Sequence, residues 1–202
     1  MSDWFVVPIR SLRNGKSRLA GVLRPAERRA FNEMLLTRVL KAIAQSAGGL
    51  SRCIVVSADR DALQLASRLG ATPLLDGPEP GLNAALEAAC DEARSRQAAS
   101  ILILAADLPD ASRTALARLR SATPRGSAAI IVDKLGCGTN GLLLPASCEA
   151  KFSFGEASLT RHREAIESSG VPVAIWNDPA LAFDIDSPGD FLRWSLASLP
   201  PV

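Results

Sequence analysis

Asp107 and the pair Asp184 and Asp186 carry the first hint of chemistry. Asp107 follows an unbroken apolar run from Ile101 to Ala105 and precedes Pro109. A run this short, rich in isoleucine and leucine, fits a strand buried on both faces, with the acid where the strand leaves the sheet. In open α/β sheets, ligands bind outside the carboxyl ends of the strands. A carboxylate there can hold Mg²⁺ beside a polyphosphate. Much later, Asp184-Ile185-Asp186 places two carboxylates at i and i+2. On an extended segment both point to one face, which suits a divalent cation shared with Asp107. The plainer alternative is a capping acid before a helix that starts at Pro188.

Four further motifs contain groups that bind anions. Gly15-Lys16-Ser17 ends like a P-loop, but that motif needs a glycine where Arg10 stands. The broken motif argues against a Walker NTPase. What remains is a turn carrying Arg10, Arg13, Lys16 and Arg18. Its cations and backbone amides could neutralise and cradle a triphosphate, or it could be a solvated basic loop. Gly136, Gly138 and Gly141 fit the spacing G-x-G-x-x-G. The following LLLPAS reads as a strand, whereas a dinucleotide fingerprint must open a helix. That loop could present backbone amides, Thr139 and Asn140 to a phosphate or carboxylate, or it could simply be a tight hairpin.

Gly81 and Asn83 open a helix whose free N–H groups could face an anion, and the Asn83 amide could read a base or ribose. In FGEAS, Gly155 allows close backbone approach, and Ser158 can cap a helix or bind an anion. His162, the single histidine, lies four residues on, along the same helix face. It could be catalytic or merely packed.

These residues need elements to position them. Strands are expected over 4–9, 52–57, 72–75, 101–105, 127–132, 142–144 and 171–176. Helices are expected over 25–45, 62–69, 82–96, 112–120, 159–169 and 188–196. The turns expected over 10–18, 76–80, 136–141 and 152–158 join them. Phe31, Leu35, Val39 and Ile43 supply the helical stripe of the first helix, with Pro25 in its first turn. Ser187 is a good N-cap for the last helix. Strand and helix alternate from end to end, with no repeat and no long linker. The expectation is one α/β domain over 1–202, with a mostly parallel, Rossmann-like three-layer sheet and one or two antiparallel additions between 136 and 176.

Bulk composition narrows the function class. Hydrophobic residues make up 48% and charged residues 22%, and the formal net charge is +2. Such a chain is ordinary for a globular protein and gives no argument for a nucleic-acid or membrane surface. No segment reaches the ~18 to 20 apolar residues that span a bilayer. The start, MSDWFVVPIR, lacks a signal-peptide pattern. A cytoplasmic location follows as an expectation. Cys53, Cys90, Cys137 and Cys148 show no C-x-x-C spacing, so buried free thiols are expected rather than zinc.

Taken in order, VVPIRSLRNGKSRL, GLNAAL, LILAADLP, GCGTNGLLL, FSFGEASLTRH and FDIDSPGDF resemble the 2-phospho-L-lactate guanylyltransferase family of deazaflavin coenzyme F-420 biosynthesis. The resemblance implies a nucleotidyltransferase fold and transfer of GMP from GTP to a small phosphorylated carboxylate, releasing pyrophosphate. The acceptor would be 2-phospho-L-lactate, phosphoenolpyruvate or 3-phospho-D-glycerate. By the same resemblance, Lys16 and Arg18 hold the GTP phosphates, Asn83 with its turn helps seat the nucleoside, and Asp107 with the late acids holds Mg²⁺. Thr139, Gly155 and Ser158 look like the positions that hold the acceptor. Arg10 departs from the lysine usual in the family, which leaves its geometry open. The oligomeric state, monomer or homodimer, is also open. Two other classes fit the residues alone: a glycosyltransferase using Asp184-Ile185-Asp186 as a D-x-D site, and a nucleotide-binding module without catalysis.

Overall fold

A computed structural model describes residues 2–77 and 81–197. Strands β1 (Ser2–Pro8), β2 (Cys53–Ser57), β3 (Thr72–Leu75), β4 (Ala98–Leu104), β5 (Ala128–Val132), β6 (Thr139–Pro145) and β7 (Val173–Trp176) form one sheet. Their order is β3-β2-β1-β4-β6-β5-β7. β6 runs antiparallel to both β4 and β5, and the remaining pairs are parallel. The expected architecture holds, and β6 is the antiparallel addition. Pro8 ends β1 and Pro73 lies in the edge strand β3, so neither removes a hydrogen bond from a central ladder.

Helices cover both faces because the strands are apolar on both. On one face α1 (Pro25–Ala47), α2 (Arg60–Arg68) and α4 (Arg113–Ala122) bury Leu36, Val39, Ile43, Ala66 and Leu116 against Val7, Val55, Leu102 and Leu104. On the other, α3 (Leu82–Ser95) and α5 (Ser158–Ser168) pack Leu86, Ala89 and Ile166 against Val6, Ile54, Ile101 and Ile103. A smaller cluster joins Leu19, Phe31, Leu35 and Ile185, with Phe191 and Trp194 of α7 (Pro188–Ala197) packed on it.

Three local features differ from the expected elements. Ser17–Gly21 forms a 3-10 helix within and beyond the basic turn. A four-residue helix, α6 (Pro179–Ala182), precedes the late acids, capped by the Asp178 carboxylate on the Ala180 amide at 3.0 Å. The segment Gly136–Gly141 is a hairpin whose last three residues already belong to β6. In the turn expected over 76–80, residues 78–80 lie outside the described residues.

The hairpin explains how β6 aims its side chains. Register slips between Ile131↔Gly141 and Val132↔Thr139, so Asn140 is an inserted bulge residue. Leu142 and Leu144 face α3 and α5, while Leu143 faces α1 and α4. Strict alternation would send Asn140 towards α5. The bulge reverses this: Asn140 turns to α6, and Thr139 meets His162 of α5. Gly141 has no room for a side chain, because a Cβ there would sit 2.6 Å from the Ile103 carbonyl oxygen.

His162 is 1% exposed and ties this hairpin to the loop before α5. Its Nε2 accepts from the Ser153 amide at 2.9 Å, and its Nδ1 lies 3.1 Å from Thr139 Oγ1. Of the two readings of this residue, the structure realises the packed one. Burial pushes its pKa down to about 4.

Two outcomes follow. Gly141→Ala should destabilise the fold by about 1–3 kcal/mol in urea titrations, the usual cost of overpacking. For His162, the unfolded chain takes up a proton near its ordinary 6.5 and the folded chain only near about 4. Its contribution is therefore complete above the unfolded value and is lost as pH falls towards the folded one, amounting to up to about 3 kcal/mol. Urea titrations at a series of pH values should show wild type losing more stability across this window than His162→Gln. Parallel slopes would contradict the assignment.

Candidate active site

The parallel strands place their carboxyl ends on one edge, and the antiparallel β6 brings its first residue to the same edge. The turn after β1 carries Lys16, the loop after β4 carries Asp107, and the residue pair after β5 is Asp133-Lys134. Thr139 begins β6, and the chain after β7 leads through α6 to Asp184 and Asp186. Asp107, Asp184 and Asp186 converge there, with one carboxylate oxygen from each lying within 4.8 Å of the others.

The positions of these acids follow from their neighbours. Ile185, fully buried with Leu19, Phe31 and Leu35, anchors the middle of Asp184-Ile185-Asp186 in the third cluster. The flanking carboxylates are left to face the strand ends. The following Ser187 and Asp190 form a reciprocal cap. Ser187 N donates to Asp190 Oδ2 at 2.8 Å, and Asp190 N donates to Ser187 Oγ at 3.2 Å. The Asp186 amide also donates to Asp190, which fixes the backbone at that acid. Arg38 of α1 holds the turn beyond Asp107 by donating to the Pro109 carbonyl at 3.1 Å.

Two lysines balance the acids. Lys16 Nζ lies 2.5 Å from Asp107 Oδ2 and 2.8 Å from Asp186 Oδ1, with its side chain 9% exposed. Burial alone would lower its pKa, but the two carboxylates outweigh that and hold it raised. Lys134 donates to the Asp184 carbonyl at 2.7 Å and to Asp190 Oδ2 at 3.0 Å. Asp184 is pushed up to about 6, first by burial and then by Asp107 and Asp186. Asp186 goes the other way: burial opposes it, yet Lys16 keeps it ionised below the usual range. Asp184 Oδ1 is buried and accepts no hydrogen bond. The Lys134 ammonium lies 3.4 Å from this oxygen, and an all-oxygen donor set with a buried carboxylate oxygen lacking a hydrogen bond fits a hard divalent cation.

The basic turn is built more tightly than a solvated loop. Asp59 Oδ2 accepts from Ser11 Oγ and from the Leu12 amide, each at 2.8 Å. Buried Asn32 of α1 donates to the Leu12 carbonyl at 2.9 Å. A Cβ on Gly15 would meet the Ser11 carbonyl oxygen at 2.5 Å, so the close approach requires glycine. Lys16 adopts a left-handed backbone, φ 56°, uncommon outside glycine and asparagine. Of the four cations in this turn, Lys16 turns inward onto the acids. Arg13 pairs with Asp61 of α2 at 3.2 Å, while Arg10, Ser17 and Arg18 are exposed.

On the opposite face of the sheet, the loop 152–157 crosses back to the strand ends. Asn83 Oδ1 accepts from the Phe154 amide at 2.8 Å, and its Nδ2 donates to the Phe154 carbonyl at 3.4 Å. In this structure the Asn83 amide holds that loop. Gly81, the N-cap of α3, has φ 147°, and Gly155 has φ 127°. Ser158 is buried as the first residue of α5, whose next amide, Leu159, bonds the Cys137 carbonyl at 3.3 Å. Thr139, Gly155 and Ser158 therefore share one side of the edge. Asn140, expected with them, does not: both its amide protons go to the carbonyls of Leu181 and Ala182, at 3.1 and 2.9 Å. The bulge in β6 is the reason, and Asn140 serves instead to hold the lead-in to the late acids.

Sequence reading missed Asn32, Arg38, Asp59, Lys134 and Asp190. Asp190 was signalled, as the fourth residue of the capping box Ser187-Pro188-Gly189-Asp190. Lys134 sits just past a buried strand, the same position that singled out Asp107. The other three act across long sequence separations without a local pattern.

Residues 4–196 match the family described as "Guanylyl transferase CofC like". A phosphoenolpyruvate guanylyltransferase of Rubrobacter xylanophilus is 40% identical over 194 residues, covering 96% of this chain and 93% of that protein. A 2-phospho-L-lactate guanylyltransferase of Methanothermobacter thermautotrophicus is 29% identical over 190 residues, covering 94% of this chain and 82% of that one. Among solved structures, one described as a nucleotide-diphospho-sugar transferase of Desulfovibrio desulfuricans superposes with a TM-score of 0.76. It is 14% identical and covers 95% of this chain and 85% of that one, a likeness of fold. With its match running almost from end to end, the chain belongs to the guanylyl transferase CofC-like family.

Proposed function

We propose that this chain transfers GMP from GTP to a small phosphorylated carboxylic acid and releases pyrophosphate. The observation that carries the reading is the convergence of Asp107, Asp184 and Asp186 beside Lys16 on the strand-end edge, in a chain of this family. Relatives named for phosphoenolpyruvate and for 2-phospho-L-lactate stand at 40% and 29% identity, which puts phosphoenolpyruvate first among the acceptors. Family membership speaks against both a sugar-transferring D-x-D enzyme and a binding module without catalysis.

The chemistry asks little of a general base. The acceptor's phosphate oxygen, already ionised at neutral pH, attacks the α-phosphorus of GTP. The new phosphoanhydride forms as the α–β bond breaks, and the electron pair leaves with pyrophosphate. The site's task is to align the two phosphates and offset their charge. The turn 10–18 lies where the triphosphate would approach, offering Lys16, Arg18, Arg10 and the amides around Gly15 and Ser17. Gly81 and Asn83, at the start of α3, would flank the nucleoside. Thr139, Gly155 and Ser158 would receive the acceptor from the other side. Mg²⁺, held by Asp107, Asp184 and Asp186, would supply the remaining positive charge to the phosphates. For Lys16 to reach a phosphate, its ammonium must leave the oxygens that it now shares with that site.

Pyrophosphate release should be seen with GTP plus one of phosphoenolpyruvate, 2-phospho-L-lactate or 3-phospho-D-glycerate, with ATP far weaker as donor. No release with any of the three acids would overturn the reading. Asp107→Asn should lower turnover by about a hundredfold or more while circular dichroism remains native. Chelation of divalent cations should stop turnover, and added Mg²⁺ should restore it. Near wild-type turnover in Asp107→Asn would remove Asp107 from the metal site.

A further inference from the structure

The buried histidine has a tautomer fixed by its partners, and that tautomer determines what Thr139 can offer a ligand. A backbone N–H only donates, so Nε2 of His162, 2.9 Å from the Ser153 amide, must carry a lone pair. The neutral ring then bears its proton on Nδ1, and that proton points to Thr139 Oγ1 at 3.1 Å. With its oxygen accepting from histidine, Thr139 keeps its own hydroxyl proton to donate. A hydroxyl poised this way at the sheet edge suits an anion. The Phe154 ring stands edge-on to the imidazole at 4.6 Å and 66°, and Asn83 clamps Phe154 by both backbone groups. The ring is thus locked on the loop side as well.

We propose that His162 is a positioning residue for the phosphorylated acceptor: it orients the Thr139 hydroxyl to donate to the acceptor's anionic oxygens and pins the loop that presents Gly155. This inference rests on the guanylyltransferase reading and extends it, because it separates the two substrates. His162 touches Thr139 and the loop 152–157 directly and reaches the nucleoside-side Asn83 only through Phe154, so its loss should weaken acceptor binding far more than GTP binding.

The test is steady-state pyrophosphate release with GTP and phosphoenolpyruvate, or whichever acid the wild type uses. His162→Ala should raise the acceptor KM about tenfold, the size of one hydrogen bond to a charged group, with KM for GTP changed less than about twofold. His162→Asn keeps a donor near the Nδ1 position and should recover much of the acceptor KM. His162→Gln reaches towards the Nε2 position instead and should not. In a Thr139→Val background, where the hydroxyl is absent, His162→Ala should add little further loss. Equal rises in both KM values, or multiplicative effects of the Thr139 and His162 changes, would overturn the proposal. If His162→Ala fails to fold, equal acceptor KM values in the Asn and Gln variants would overturn it. Lack of turnover by the wild type with every acid would sink the guanylyltransferase reading, and this inference with it. Normal wild-type turnover with an unchanged acceptor KM in the variants would sink this inference alone.

Discussion

The crowding of carboxylates at one point of the sheet edge is the constraint on which the site depends. Oxygens of Asp107, Asp184 and Asp186 within 4.8 Å of one another repel by about 3 kcal/mol or more per pair at an effective dielectric near 20. Left to themselves, the loops carrying them would spread apart. Apolar packing some distance away prevents this. Ile185 is fully buried with Leu19, Phe31 and Leu35, so the late acids cannot retreat without exposing it. Leu19 follows Lys16 closely in the chain, so the same cluster also fixes the turn whose ammonium relieves the repulsion. Asp184, raised to about 6, and Asp186, lowered, register the unequal share of that relief: Lys16 touches one and not the other.

The relief is incomplete, and its incompleteness has a use. Two lysines face Asp107, Asp184, Asp186 and the capping Asp190, so carboxylates outnumber ammonium groups. A site tuned for stability alone would have neutralised itself. Here one buried oxygen of Asp184 accepts no hydrogen bond, and the Lys16 backbone is held in a left-handed conformation. Both are costs in the folded chain that a bound divalent cation and polyphosphate would offset.

Much of the scaffold was legible in the sequence because buried strands write themselves as short apolar runs and helices as periodic stripes. The runs at Cys53–Ser57 and Ala128–Val132, and the stripe through Leu35, Val39 and Ile43, all appear where the pattern puts them. The acids were legible for the same reason, since a charge that ends a buried run must lie at the sheet edge. Lost from view was whatever depends on register or on distant pairing. A single inserted residue in β6 exchanged the faces of Thr139 and Asn140, and no local pattern announces a bulge. Asp59 and Asn32 meet the basic turn only after α1 and β2 have been laid down. The sequence therefore left the turn open between a phosphate cradle and a solvated basic loop, although it is braced by Asn32 of α1 and by Asp59, which caps α2.

The two faces of the sheet divide the work at the edge. The α1 and α4 side supplies the acids through α6 and Asn140, and braces the basic turn through Asn32. The α3 and α5 side supplies the loop 152–157, held by Asn83 and His162. Thr139 is the crossing point, because β6, alone among the described strands, enters the edge with its first residue instead of its last. An antiparallel strand is what makes this possible. A parallel strand there would deliver a loop at its carboxyl end, with the freedom of a loop. Delivering a strand residue instead gives Thr139 a backbone paired with Val132 of β5 and a hydroxyl 3.1 Å from one buried ring. Reactions that join two anions need rigidity more than acid–base chemistry, since the barrier lies in holding like charges in line. On that view a site with one histidine, buried and neutral, would use it to fix a hydrogen bond and not to transfer a proton.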